Sequence, residues 1–412
     1  MRRIYQTSNT LLNQGYNLAR IAINYGYQGM IDAYNSTYDF GKYNTIEYLD
    51  GNLPDIKNNL NLYGTKYQDL YFYGINSIVN ELSVETPGFK WDEKQIQEKK
   101  AQYINKKKEY EQKINNRELI WARISELIKK ENDTTYMNYP LAQGHIGNCY
   151  LICLLRGMLR FYPEKYHALF TCSYFDIGYH EVGLFGWEGN IGQRIPKKIK
   201  VFVDDIILYN IKDETNHFSR IESQDSHYIS KYVLIEKAIA KFFRCYQNLY
   251  GRDLTPEVAL FTLIGKEPDL LLVSDYMNYT LHKNLYDKLK SELGKRSIIL
   301  CSTSSEKDNC FKKGFENNHV YTLIDAEEKE GPIFILTLEN PKGSNKIFDF
   351  YKCQLRLVDN NRAYNQITMK EIENDIKDYN SSYKTFGLVK IDIENFTKCF
   401  LRIYFWRFPE SN

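Results

Sequence analysis

Apolar positions change period several times along this 412-residue chain. Residues 1 to about 85 show helical apolar spacing interrupted by Gly-containing turns such as Tyr25-Gly26-Tyr27-Gln28-Gly29, which predicts a mostly helical region. Thr86-Pro87-Gly88 breaks it. Asp92-Glu93-Lys94-Gln95 then reads as a capping box. Behind it Ile96, Tyr103 and Tyr110 recur at intervals of seven, followed by Ile114, Trp121, Ile124 and Ile128. This stripe predicts one amphipathic helix of roughly 35 residues. Lys106, Lys107 and Lys108 fall mostly on the opposite face, as a solvated surface rather than a nucleic-acid stripe.

Glu131-Asn132-Asp133-Thr134-Thr135 is a polar break, and we place a domain boundary there. Up to about residue 270 the pattern mixes helices with short strands; beyond it β-type alternation dominates. The expected organisation is therefore a helical N-terminal region (1–130), a second block (131–270) and a β-rich third block (271–412). The most apolar run, Tyr150 to Leu155, is stopped by Arg156, so no membrane span is expected.

One β pattern carries chemistry. His319-Val320-Tyr321-Thr322-Leu323-Ile324 reads as a strand, Asp325 to Pro332 as a loop, and Ile333 to Leu338 as a second strand ended by Glu339-Asn340-Pro341-Lys342-Gly343. A hairpin centred near residue 328 or 329 sets His319 opposite a position near 338, within a residue or two of Asn340. A carboxamide that accepts a hydrogen bond from one ring nitrogen fixes the tautomer and direction of the other.

A nucleophile to match lies upstream. Gln143-Gly144-His145-Ile146-Gly147-Asn148-Cys149-Tyr150 runs directly into an apolar helical pattern, which puts the Cys149 thiol in the first turn of a buried helix. A helix start carries partial positive charge and unpaired N–H groups, which favour a thiolate and can hold an oxyanion. A cysteine taken alone is more often a packing residue. Cys153, one turn later, is expected in the core behind it. His145 is expected to line the approach to Cys149 or to be solvated, not to act as base; His167, His180, His217, His227 and His282 lack a hairpin partner like Asn340. Asp204 and Asp205 end a strand and read as a turn or an inter-lobe salt bridge rather than a metal site.

Composition narrows the classes. The formal net charge is +2 with 26% charged residues, so nothing implies a nucleic-acid or acidic partner. Eight cysteines are scattered without zinc-ligand spacing and suit a reducing compartment, hence a cytoplasmic location. Met1-Arg2-Arg3-Ile4-Tyr5-Gln6 has no apolar segment behind it, and no signal peptide is expected.

Gln143, Cys149, His319 and Asn340, in that order, resemble the papain-type set, and the details resemble the calpain family of cysteine proteases. The family's Q-G-x-x-G-D-C-W-like segment is similar to Gln143 through Tyr150. Its Asp-Asp strand is similar to Val201-Phe202-Val203-Asp204-Asp205, and its Glu-Lys helix to Leu234 through Lys241 followed by Cys245 through Gly251. Its His-Ala-Tyr strand is similar to His319-Val320-Tyr321, and its Asn-Pro-Trp-Gly turn to Asn340-Pro341-Lys342-Gly343. The resemblance spans roughly residues 135 to 395. Asn148 stands where the family has aspartate, Tyr150 and Lys342 where it has tryptophan. The tryptophan at the position of Lys342 shields the Asn–His pair from water in papain-like sites.

The resemblance implies an α+β, papain-like, two-lobed core, with a helical Cys lobe (131–270) and a β-rich His/Asn lobe (271–412). It implies an intracellular cysteine endopeptidase acting on protein or peptide substrates, in which His319 takes the Cys149 proton, Asn340 orients His319, and Gln143 donates to the oxyanion. Alternatives are an inactive calpain-like scaffold, or a glutamine deamidase or transglutaminase using the same residues. The N-terminal helices would be a partner or inhibitory surface. The family's calcium ligands are largely replaced: Pro140 and Gln247 stand where its first site has acids, and no acid follows Asn340 until Asp349. No cofactor or metal is expected, and activity is expected to be calcium-independent.

Overall fold

The capping box at Asp92 forms. Its carboxylate accepts from the Gln95 N–H at 2.8 Å, and the Gln95 side chain accepts from the Asp92 N–H at 3.0 Å. The helix runs Glu93–Asn115, with Tyr103 and Tyr110 as its buried residues. The Tyr103 hydroxyl donates to Asn248 Oδ1 at 2.8 Å, and Tyr110 packs edge-on against His217. The helix is shorter than the stripe predicts. Arg117 takes a left-handed φ of 59°, and Leu119–Arg123 continues as a strand paired antiparallel with Ile206–Asn210. Trp121 therefore belongs to a sheet; tertiary pairing overrides the apolar spacing that pointed to a helix.

A computed structural model describes the protein at residues 69, 72, 74–80, 92–127, 141–174, 178–188, 195–212, 215–221, 232–251, 256–303, 315–330, 333–342, 347–349 and 387–408. The helical reading of residues 1–85 falls largely outside these positions; within them lies the short helix Ile75–Ile78.

Two compact units are formed. The first takes its residues from 1–138, 168–218 and 225–265; the second from 139–167, 219–224 and 266–412. Boundaries at 130 and 270 do not separate these units. The segment around 92–127 is built into the first unit by its pairing with Ile206–Asn210, and the Cys149 helix lies in the same unit as His319 and Asn340.

The first unit contains the antiparallel sheet Phe170–Tyr174, Tyr179–Glu188 and Ile195–Asp204, with helix Val233–Phe242 beside it. Its interior holds paired charges. Asp204 binds the Lys237 ammonium, which also donates to the Ile206 carbonyl. Lys241 donates to Asp69 at 2.5 Å and to the Phe202 carbonyl at 2.8 Å, while the Asp69 N–H donates to Asp204 at 2.7 Å. Asp205 pairs with Arg123. Asp204 and Asp205 thus form ion pairs within one unit.

The second unit is built on a seven-stranded sheet ordered Ile347–Asp349, Leu388–Asp392, Ile333–Glu339, Val320–Lys329, Ile298–Thr303, Phe400–Trp406, Asp269–Leu272. Tyr286 of helix Tyr279–Gly294 stacks on Phe334, and Phe396 of helix Ile393–Cys399 stacks on Phe400 within one apolar core. Helix Cys149–Phe161 packs on strands Ile298–Thr303 and Val320–Lys329 and is buried from Cys149 through Met158. Gly157 permits this approach: a Cβ there would lie 2.5 Å from Ile298 Cγ2. The helix is also stitched to the hairpin by polar bonds. Cys153 Sγ donates to the Val320 carbonyl at 3.2 Å, and Thr322 Oγ1 donates to the Cys153 carbonyl at 3.3 Å. Arg156 and Arg160 both donate to Glu339, at 2.8 and 3.0 Å.

The hairpin exists with a different register. Strand Val320–Lys329 includes residues 325–329, expected as loop, and pairs Lys329 with Ile333 and Thr322 with Glu339. A bulge between Leu323 and Asp325 shifts the pairing by one. Ala326 turns inward while Glu327 reaches across strand Ile333–Glu339 to pair with Lys390 of Leu388–Asp392, so the charged stretch retains strand alternation.

Arg156 and Glu339 are both nearly buried, and replacing Arg156 leaves the Glu339 carboxylate to the more exposed Arg160. Arg156→Met should destabilise the protein by about 3 kcal/mol, with partial recovery when Glu339→Gln is added. The midpoint of chemical denaturation checks both.

Candidate active site

Cys149 opens its helix. The Asn148 carbonyl accepts from the Leu151 and Ile152 N–H groups at 2.9 and 3.2 Å, so Asn148 acts as N-cap through its backbone, without a side-chain cap bond. Cys149 is thereby the first helical residue, where N–H groups have no intrahelical acceptor. Its residue is 5% exposed, and its sulfur is close enough to His319 to favour the charged form of the ring.

His319 sits at the entry of strand Val320–Lys329, after a turn in which Asn318 takes a left-handed φ of 50°. Thr303 braces this turn. The His319 N–H donates to Thr303 Oγ1 at 2.9 Å, and the Thr303 N–H donates back to the His319 carbonyl at 2.9 Å. The Tyr321 ring lies edge-on to the imidazole at 5.0 Å.

Asn340 ends the partner strand, and its side-chain oxygen lies 3.1 Å from His319 Nε2. The Lys342 N–H donates to the same oxygen at 3.0 Å. Two donors aimed at one atom fix the amide orientation, so Nε2 donates to Asn340 and Nδ1 is the ring nitrogen left for another partner. The sequence-expected contact between His319 and Asn340 is present, although the strand register beneath it differs.

Gln143 ends the short strand Leu141–Gln143, which pairs with Ser219–Ile221. Its N–H donates to the Pro341 carbonyl at 2.8 Å, which ties it to the Asn340 turn. Its side-chain nitrogen donates to the Ile146 carbonyl at 2.7 Å. That bond holds the loop leading to Cys149 and uses one of the two amide hydrogens. The four residues singled out from the sequence are thus linked within one unit.

His319 is buried. Burial disfavours its charged form, but the Glu316 carboxylate and the Cys149 sulfur outweigh it, with Lys342 opposing, so its pKa stands above the ordinary histidine value. Cys153 behaves oppositely: burial pushes its thiol well above the usual range, which marks it as an inert core cysteine. His145 is exposed on the loop before Cys149. His180 contacts Ser173 and its pKa is lowered to about 4 by burial, so it is neutral at ordinary pH.

Three residues around the site are not identified by motif reading. Arg156 is visible in the sequence as a charge interrupting an apolar helix two turns after Cys149, and Glu339 as the neighbour of Asn340. Glu316 lies three residues before His319, with its carboxylate 3.9 Å from His319 Nδ1 and 2.5 Å from the Lys342 ammonium. Nothing in the local pattern distinguishes Glu316 from a surface acid.

A family model described as calpain family cysteine protease matches residues 87–404. No individually curated protein matches the chain. Among the described residues, no helix is long and apolar enough to cross a membrane. The match takes in the whole Gln143–Asn340 arrangement and most of both units, and the mixed helix-and-sheet architecture is that of a papain-like α+β core. The chain belongs to the calpain family of cysteine proteases, the class of cysteine-type endopeptidases.

Proposed function

We propose that this protein hydrolyses peptide bonds through Cys149, His319 and Asn340, with Gln143 assisting. The observation that supports the reading is the His319 ring, with Nε2 on Asn340 and with Cys149 close enough to favour its charged form. In the first step the Cys149 proton passes to Nδ1, and the thiolate attacks the peptide carbonyl carbon. The developing oxyanion is met by the Cys149 backbone N–H at the helix start and by the second amide hydrogen of Gln143. The imidazolium returns its proton to the leaving amine as the C–N bond breaks. Water, activated by the neutral ring, then hydrolyses the thioester and restores the thiol. Substrates would be proteins or peptides, and the scattered cysteines fit a reducing, cytoplasmic setting.

Cys149→Ala and Cys149→Ser should each reduce peptide hydrolysis roughly a thousandfold or more, with stability changed by about 1 kcal/mol or less. Cys153→Ala should retain turnover, since its sulfur faces a backbone carbonyl in the core. Hydrolysis of a casein-like substrate, together with labelling by a thiol-directed probe, checks this. A folded wild-type protein that neither hydrolyses substrate nor labels at Cys149 points to the scaffold reading, and glutamine-specific release of ammonia to the deamidase reading.

We further propose that calcium is not required. Gln247, neutral and buried, stands where the family resemblance puts an acid, and Pro140 lies outside the described residues. Asp204 and Asp205 are already neutralised by Lys237 and Arg123, so recruiting them to a cation would break buried ion pairs. Rates in excess chelator and in added calcium should agree within about twofold. A strong rise with calcium would overturn this expectation.

A further inference from the structure

The His319 turn carries an acid that the reaction scheme above does not use. Glu316 begins this turn, and its backbone is fixed on both sides. Its N–H donates to the Tyr321 hydroxyl at 3.2 Å, and its carbonyl accepts from Thr303 Oγ1 at 2.6 Å. Its carboxylate is held by the Lys342 ammonium, on the turn that follows Asn340. The Lys342 N–H in turn donates to the Asn340 oxygen that orients His319. A single hydrogen-bonded loop therefore runs from Glu316 through Lys342 and Asn340 to His319.

We propose that Glu316, held by Lys342, is a positioning residue that stabilises the charged form of His319 across the Nδ1 face. The proposal rests on the reading of Cys149 and His319 as the reacting pair. The two ends of the bridge act in opposite directions. The carboxylate lies 3.9 Å from Nδ1 and favours the imidazolium; the ammonium disfavours it but is directed onto the carboxylate. Among the described residues, the charged or titratable groups that act on the ring are Cys149 from the helix, Glu316 from the turn and Lys342 from the turn after Asn340; the Tyr321 ring lies edge-on from the strand. Lys342 occupies the position where the family resemblance puts a tryptophan. An ion pair here supplies by charge the support for the Asn–His pair that an aromatic ring supplies by excluding water. Both members are partly exposed, so the influence is attenuated by solvent.

The test is the pH dependence of Cys149 alkylation by iodoacetamide on the full chain, read by mass spectrometry of the Cys149 peptide. Wild type should show an upper inflection from loss of the imidazolium proton, absent in His319→Ala. Glu316→Gln preserves a hydrogen-bond acceptor for Lys342 but removes the charge; the inflection should fall by about one unit. Glu316→Asp should restore part of the shift. Lys342→Gln, which can still hydrogen-bond Glu316, should move it upward by about half a unit. Opposite shifts support the proposal. Unmoved inflections, or shifts in the same direction, would make the bridge a structural tether and overturn it. If wild type lacks any His319-dependent inflection, the protease reading itself fails, and this inference with it.

Discussion

Glu339 is the point on which the geometry of the site depends. It accepts from Arg156 and Arg160 of the Cys149 helix while its chain neighbour Asn340 orients His319. A helix packed on a sheet through apolar side chains alone can slide or rotate at little expense, because apolar contact is non-directional. A buried carboxylate shared by two guanidinium groups is directional and is strongly destabilised if one partner withdraws. The axial position of Cys149 is therefore set from within its own helix, two turns away from the thiol. Cys153 and Thr322 fix the same helix to the strand that begins beside His319.

The candidate site residues are held by the surrounding chain as well as by one another. Gln143 is held by the Pro341 carbonyl, His319 by Thr303, and Asn340 by the Gly387 carbonyl as well as the Lys342 N–H. Such support places the imidazole before any substrate arrives. Charge at the ring is then adjusted by side chains on two turns, which can vary without disturbing the strands.

The parts of this arrangement legible in sequence are those governed by local rules. The capping box at Asp92 and Gln95 depends on four consecutive residues, and the start of the Cys149 helix on a glycine-rich approach followed by an apolar run. The hairpin brought His319 near Asn340 because two strands joined by a short connection have few alternatives. Its register differs from the one the sequence predicts because the bulge at Leu323–Asp325 and the inward-facing Ala326 have no local signature. The long helix expected through Ile128 stops at Asn115 because Leu119–Arg123 finds a strand partner about 85 residues downstream, which periodicity cannot register. The charges near the site were opaque for the same reason: Arg156 and Glu339 lie 183 positions apart, and Glu316 and Lys342 lie 26 apart.

Asp69 has a practical consequence for anyone isolating this protease core. The family match begins at residue 87, which invites a truncation there. Yet the Asp69 carboxylate neutralises Lys241, and its N–H caps Asp204 inside the first unit. Lys241 is buried deeply enough that its pKa is already lowered by desolvation. A fragment starting at 87 would leave that ammonium without the Asp69 carboxylate and remove one of the donors to Asp204. A fragment that keeps these contacts must begin at or before Asp69, ahead of the start of the family match.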